Sequence, residues 1–106
     1  MKLVFAIVNH DDSSAVSSGL TQAGYSATKL ATTGGFLRQG NTTFLIGVEE
    51  EKVQHVISII KDYSSRRSQA VQDIGAMQNE YLSIPIEVSV GGATVFVLDV
   101  EQFEKL

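Results

Sequence analysis

Between Asp12 and Glu49 the chain carries no acidic residue, although its formal net charge is -4. Inside that window runs T-K-L-A-T-T-G-G-F-L-R-Q-G-N-T-T-F, Thr28 to Phe44. An acidic protein that clears one segment of carboxylates keeps a surface open to an anion. This segment sets Thr28, Thr32 and Thr33 before the pair Gly34-Gly35, and Phe36, Arg38 and Asn41 after it, with Lys29 alongside. Threonine hydroxyls and backbone N–H groups can hold phosphate oxygens. An Asn amide offers donor plus acceptor to an adenine edge, and a Phe ring packs on a base. The combination suits a ligand with both phosphate and base. Neither G-K-[ST] nor G-x-G-x-x-G spacing is present, so the run is not a P-loop or a dinucleotide fingerprint. A glycine pair alone also makes a plain turn between strands, so the functional reading rests on its neighbours.

Catalytic groups are poorly placed. The glycine-rich segment has no His, Asp or Glu to act as general acid or base. His10, Asp11 and Asp12 could be read as metal ligands, but adjacent residues rarely converge on one ion and the same trio suits a helix cap. His55 falls on the solvent side of a helical pattern. Arg66 and Arg67 could reach an anion or simply complement a helix C-terminus. The absence of Cys removes thiolate ligands, a Cys nucleophile and disulfides.

The elements that must position these residues follow from pattern. At 106 residues, with 43% apolar and 19% charged content, the chain is expected to form one domain over residues 1–106. Leu3 to Val8 is an apolar run of strand length that ends at Asn9 and His10 without the cleavage site of a signal peptide. Asp11, Asp12 and Ser13 are expected to cap a first helix over Ser13 to Ala23, stopped by Gly24. Tyr25 to Thr33 and Asn41 to Val48 read as paired strands across a glycine-bearing connection. Glu49, Glu50 and Glu51 open a second helix, on which Val53, Val56, Ile57, Ile60 and Tyr63 share a face. Ser64 to Ser83 lacks a sustained period and reads as a long loop. Ile86 to Val90 and Thr94 to Val100 read as strands joined by a Gly91-Gly92 hairpin, followed by a tail from Gln102 to Leu106.

Strand, helix, strand, strand, helix, strand predicts an α+β, ferredoxin-like domain, βαββαβ plus an extra C-terminal strand. Two helices cover one sheet face only, so the apolar residues of the other face predict an oligomer. No run approaches the roughly 20 apolar residues of a membrane span, and a soluble, cytoplasmic protein without membrane or long nucleic-acid partners is expected.

The stretch A-T-K-L-A-T-T-G-G-F-L-R-Q-G-N-T-T-F-L-I-G, Ala27 to Gly47, resembles the signature of the PII-like cyclic di-AMP receptors, and I-P-I-E-V-S-V-G-G-A-T-V-F-V-L-D-V, Ile84 to Val100, resembles their C-terminal block. The resemblance spans nearly the whole chain. It implies a PII-like homotrimer that is not an enzyme, uses no cofactor, and binds cyclic di-AMP in clefts between subunits for signal transduction. A loop response would carry the signal to a downstream protein partner. Carried over by position, Ala27 and Thr28 would face the phosphates, and Gly35, Phe36 and Leu37 would line the base pocket. Asn41 and Gly47 would contact adenine, with Gly92 and a neighbouring chain's Phe103 as further contacts. The chain departs from the family pattern at Gly24 and Ser26, where Asn and Arg are usual. That departure keeps an alternative open: a divergent PII-like trimer that senses another small anion or nucleotide, or acts as a protein-interaction module.

Overall fold

The computed structural model describes residues 1–31, 40–65, 67–71 and 86–106. In chain order the elements are β1 (Lys2–Asn9), α1 (His10–Gln22), β2 (Thr28–Ala31), β3 (Asn41–Val48), α2 (Val53–Ser64, entered through a short 3-10 turn at Glu50–Lys52), β4 (Arg67–Val71), β5 (Ile86–Val90) and β6 (Ala93–Asp99). Four strands form one antiparallel sheet in the order β2-β3-β1-β6, and β4 and β5 pair separately. The larger sheet with its two helices makes a small α+β fold compatible with a ferredoxin-like one.

The apolar run of β1 resolves into two faces, as strand alternation requires. Val4, Ala6 and Val8 are buried, whereas Leu3, Phe5 and Ile7 are half-buried. The buried set packs with Phe44, Ile46 and Val48 of β3, Val16 and Leu20 of α1, and Val53, Val56, Ile59 and Ile60 of α2. Fully burying each larger side chain of this kind contributes about 1.5–3 kcal/mol. On the other face Phe5 meets Phe96 edge to face at 6.2 Å, and Phe96, Leu98 and Leu30 are exposed. Among the described residues no helix lies over them.

Several sequence expectations need correction. Helix α1 begins at His10 rather than Ser13, because Asn9 is its cap: the Asn9 side chain accepts from the Asp11 backbone N–H at 2.9 Å, and Asp11 and Asp12 lie within the first turn. On α2 the buried face is Val53, Val56, Ile59 and Ile60, while Ile57 is partly buried and Tyr63 is 45% exposed. The stripe is rotated toward Ile59 because α2 packs against α1 as well as the sheet, and Gly19 of α1 sits under Tyr63 and Ile59. The segment read as one loop from Ser64 to Ser83 contains strand β4, and α2 ends at Ser64, so Lys61 rather than Arg67 is the basic residue of its last turn. Arg66 and the rest of that segment beyond Val71 lie outside the described residues, as does the connection from Thr32 to Gln39.

The pair Gly91-Gly92 does not make a hairpin between β5 and β6. Both glycines have positive φ, 83° and 85°, the conformation that a tight turn requires. Yet β5 pairs with β4, and β6 pairs with β1, with Phe96 opposite Phe5 and Leu98 opposite Leu3. The Gly92 N–H is donated to the Ser64 carbonyl, one of the last acceptors of α2, so the turn closes the base of the β4–β5 unit. The strand expected as an extra one at the C-terminus is therefore the fourth strand of the main sheet, and the additional pair precedes it.

Candidate functional site

The N-terminal ends of β3 and β6 and the C-terminal end of β1 meet at one edge of the sheet. A cleft of about 180 Å³ opens there, lined by Asn9, Asn41, Thr94 and the Gly91-Gly92 backbone among others. Asn9 and Asn41 stand opposite each other in the β1–β3 register. The chain entering Asn41 is fixed by a hydrogen bond from the His10 N–H to the Gly40 carbonyl, and His10 Nδ1 lies 3.4 Å from the Thr42 hydroxyl. Among the described residues the cleft thus presents amides, a hydroxyl and peptide groups but no ionised side chain. Such a lining reads a base edge better than it holds a phosphate. A larger hollow of about 370 Å³ lies on the other side of Gly92, against Ile57, Ile60 and Val95. Lys61, Ser64 and Ser65 also line it, but of the residues singled out from sequence for the ligand it holds Gly92 alone among the described residues; the smaller cleft brings Asn41 and Gly92 together and is the candidate site.

Of the residues singled out from sequence, Asn41 and Gly92 meet at this cleft. Thr28 is exposed on edge strand β2, opposite Leu45 of β3. Because residues 45 and 47 share a face, Thr28 and Gly47 open onto the same side of the sheet. Ala27, half-buried, precedes Thr28 and packs against the core. Gly47 lies six positions from Asn41 on one strand, about 20 Å away at ~3.3 Å per residue. One adenine ring cannot touch both; a ligand that does so uses two bases or two copies of the chain. A Cβ at Gly47 would meet only Met1 Sδ at 4.0 Å, so the fold itself does not require a glycine there. Phe103 is 62% exposed on the tail, which leaves β6 after the Val100 N–H bonds the Met1 carbonyl, at the sheet end that carries Gly47. Gly35, Phe36 and Leu37 lie outside the described residues.

The position of Gly24 has a local explanation. Its φ is +90°, and the Gly24 N–H bonds the Thr21 carbonyl at 3.0 Å while the Tyr25 N–H bonds the Leu20 carbonyl at 2.9 Å. This double pattern ends α1 in a Schellman cap, whose left-handed residue is normally Gly and sometimes Asn. Either residue at 24 therefore preserves the helix end. Ser26, exposed, follows one residue after Tyr25.

The sequence model of the cyclic-di-AMP receptor family matches residues 1–106. The chain belongs to that family. Among solved structures, a functionally unknown protein from Pediococcus pentosaceus ATCC 25745 is similar, at 48% identity and a TM-score of 0.78, over 99% of this chain and 96% of that one. The family match agrees with the resemblance carried by Ala27 to Gly47 and Ile84 to Val100.

Sequence reasoning missed Asn9 and Thr94 as lining residues, and a contact between Tyr25 and His55. The Tyr25 hydroxyl lies 2.6 Å from His55 Nδ1, with ring centroids 5.4 Å apart. Asn9 was legible only as the end of an apolar run; its place opposite Asn41 needs the register. The Tyr25–His55 pair joins positions thirty residues apart and leaves no local signal.

Proposed function

We propose that the protein is a non-catalytic, cytoplasmic receptor for cyclic di-AMP that binds the ligand between the subunits of a homotrimer and passes its state to a protein partner. The observation that carries the reading is the receptor-family match over residues 1–106. The site adds chemical support, because the Asn41 and Asn9 amides line the cleft, while Thr28 stands opposite Leu45 and the open Gly47 lies near the other end of β3. The uncovered apolar sheet face, with Phe5, Phe96 and Leu98, supports assembly of several copies. Among the described residues no group of three His, Cys, Asp or Glu is placed to hold a metal, and none of their helices is long and apolar enough to cross a membrane.

The replacement of the family's usual Arg by Ser26 favours a second reading, in which the trimer persists but senses a different small anion or nucleotide, or serves as an interaction module. Isothermal calorimetry with cyclic di-AMP, cyclic di-GMP and ATP separates the two. Selective binding of cyclic di-AMP is the expected result; no heat with cyclic di-AMP from folded protein would favour the second reading.

A further inference from the structure

Residues 26–28 gain their position from what precedes them. Tyr25 is the residue after the positive-φ Gly24, and its ring packs against the core while its hydroxyl reaches His55 on the first turn of α2. The segment leading into β2 is thus held at one end by the Schellman cap of α1 and sideways by α2. The opposite end of the same helix holds the cleft, since the Ser64 carbonyl accepts from the Gly92 N–H. Helix α2 therefore bonds Tyr25, two residues before the proposed ligand residue Ala27, through a side chain near its beginning, and the proposed ligand residue Gly92 through a backbone carbonyl at its end. Around His55 the charged neighbours are Glu51 and Lys52 in the 3-10 turn just before α2 and, on α2 itself, Asp62 two turns after. From Ser13 to Thr28 no charged residue occurs, and Lys29 is the first on β2. No ion pair competes for the Tyr25 hydroxyl within its own segment. A hydrogen bond between a phenol and an imidazole is also directional, so it fixes where the chain runs rather than merely attracting it.

We infer that Tyr25 and His55 are positioning residues for ligand binding: their hydroxyl–imidazole bond sets residues 26–28 at a fixed place on α2, the helix that also anchors Gly92. The inference rests on the cyclic di-AMP reading above. It is tested with the full chain in four further forms: Tyr25→Phe, which keeps the packed ring and removes only the hydroxyl, His55→Ala, the Tyr25→Phe/His55→Ala double variant, and His55→Gln, whose amide can either accept from or donate to the Tyr25 hydroxyl. Two readouts are taken, the amide-exchange protection of residues 26–31 without ligand and the Kd for cyclic di-AMP. Tyr25→Phe and His55→Ala are each expected to lower protection and weaken binding by about two- to tenfold. The double variant is expected to lose no more than either single one, and His55→Gln to retain both properties. Unchanged protection in Tyr25→Phe overturns the inference, as does Tyr25→Phe binding cyclic di-AMP as tightly as the wild type. Wild-type protein that fails to bind overturns the receptor reading instead, while a loss of protection in Tyr25→Phe would still establish the contact as what holds the segment.

Discussion

At the scale of single residues, Asn41 and Ser26 make opposite predictions. Asn41 is half-buried beside the cleft, where its amide can pair with a base edge. Replacing it with Ala is expected to weaken cyclic di-AMP binding by more than about 1 kcal/mol, because a ligand group loses its partner; calorimetry that finds unchanged affinity would remove Asn41 from the site. Ser26 is exposed next to Ala27 and Thr28, and so has room for a longer side chain. Ser26→Arg is expected to tighten binding through a charge-assisted bond to phosphate, about 1.5–3 kcal/mol or roughly ten- to a hundredfold. No gain would mean that the phosphate grip is built from other groups. Both positions were legible in the sequence, Asn41 from its amide among hydroxyls and glycines, Ser26 from its departure from the family pattern. The separation of Asn41 and Gly47 along one strand was legible too, since Asn41 to Val48 reads as a strand with the bounds it has; what was not legible is that Asn41 stands opposite Asn9, which needs the β1–β3 register.

At the scale of elements, the cap of α1 decides where the phosphate-facing segment starts. A Cβ at Gly24 would meet nothing within 4 Å, so the constraint on this position is conformational and not steric. Gly24→Ala is expected to lower stability by about 1 kcal/mol in thermal or urea unfolding, since an L side chain disfavours positive φ. Gly24→Asn should cost less, and equal stability for Ala would show that the cap is dispensable. Sequence reading found this helix end because glycine stops are local, and it found β3 with its observed bounds. It failed at the helix start, where Asn9 rather than the following acids supplies the cap. It also failed at β4, whose pairing partner β5 begins fifteen residues after β4 ends, and such long-range pairing has no signature in a short window. A smaller clasp joins β1 to β6: the hydrogen bond from the Lys2 ammonium holds the Asp99 carboxyl below its ordinary range and raises the Lys2 pKa. The Asp99 contribution is therefore present above the ordinary carboxylate pKa and is lost as pH falls below it; its exposure makes it small.

At the scale of the whole molecule, the helices cover one sheet face, while Phe96 and Leu98 lie exposed beside half-buried Phe5 and Leu3 on the other. The sequence predicted this imbalance from element count alone, and the register shows which residues bear it. The same register divides the proposed ligand contacts between the two ends of β3, so a ligand held by both ends is most simply met where two chains adjoin. The measurement that bears most directly on this account is native mass spectrometry of the wild type and Phe96→Glu with and without cyclic di-AMP. The wild type is expected to be a trimer that takes up one ligand per chain, and the Phe96→Glu protein to be monomeric and to retain no ligand. A ligand carried by the monomer, or a wild type that is trimeric yet takes up none, would contradict the account.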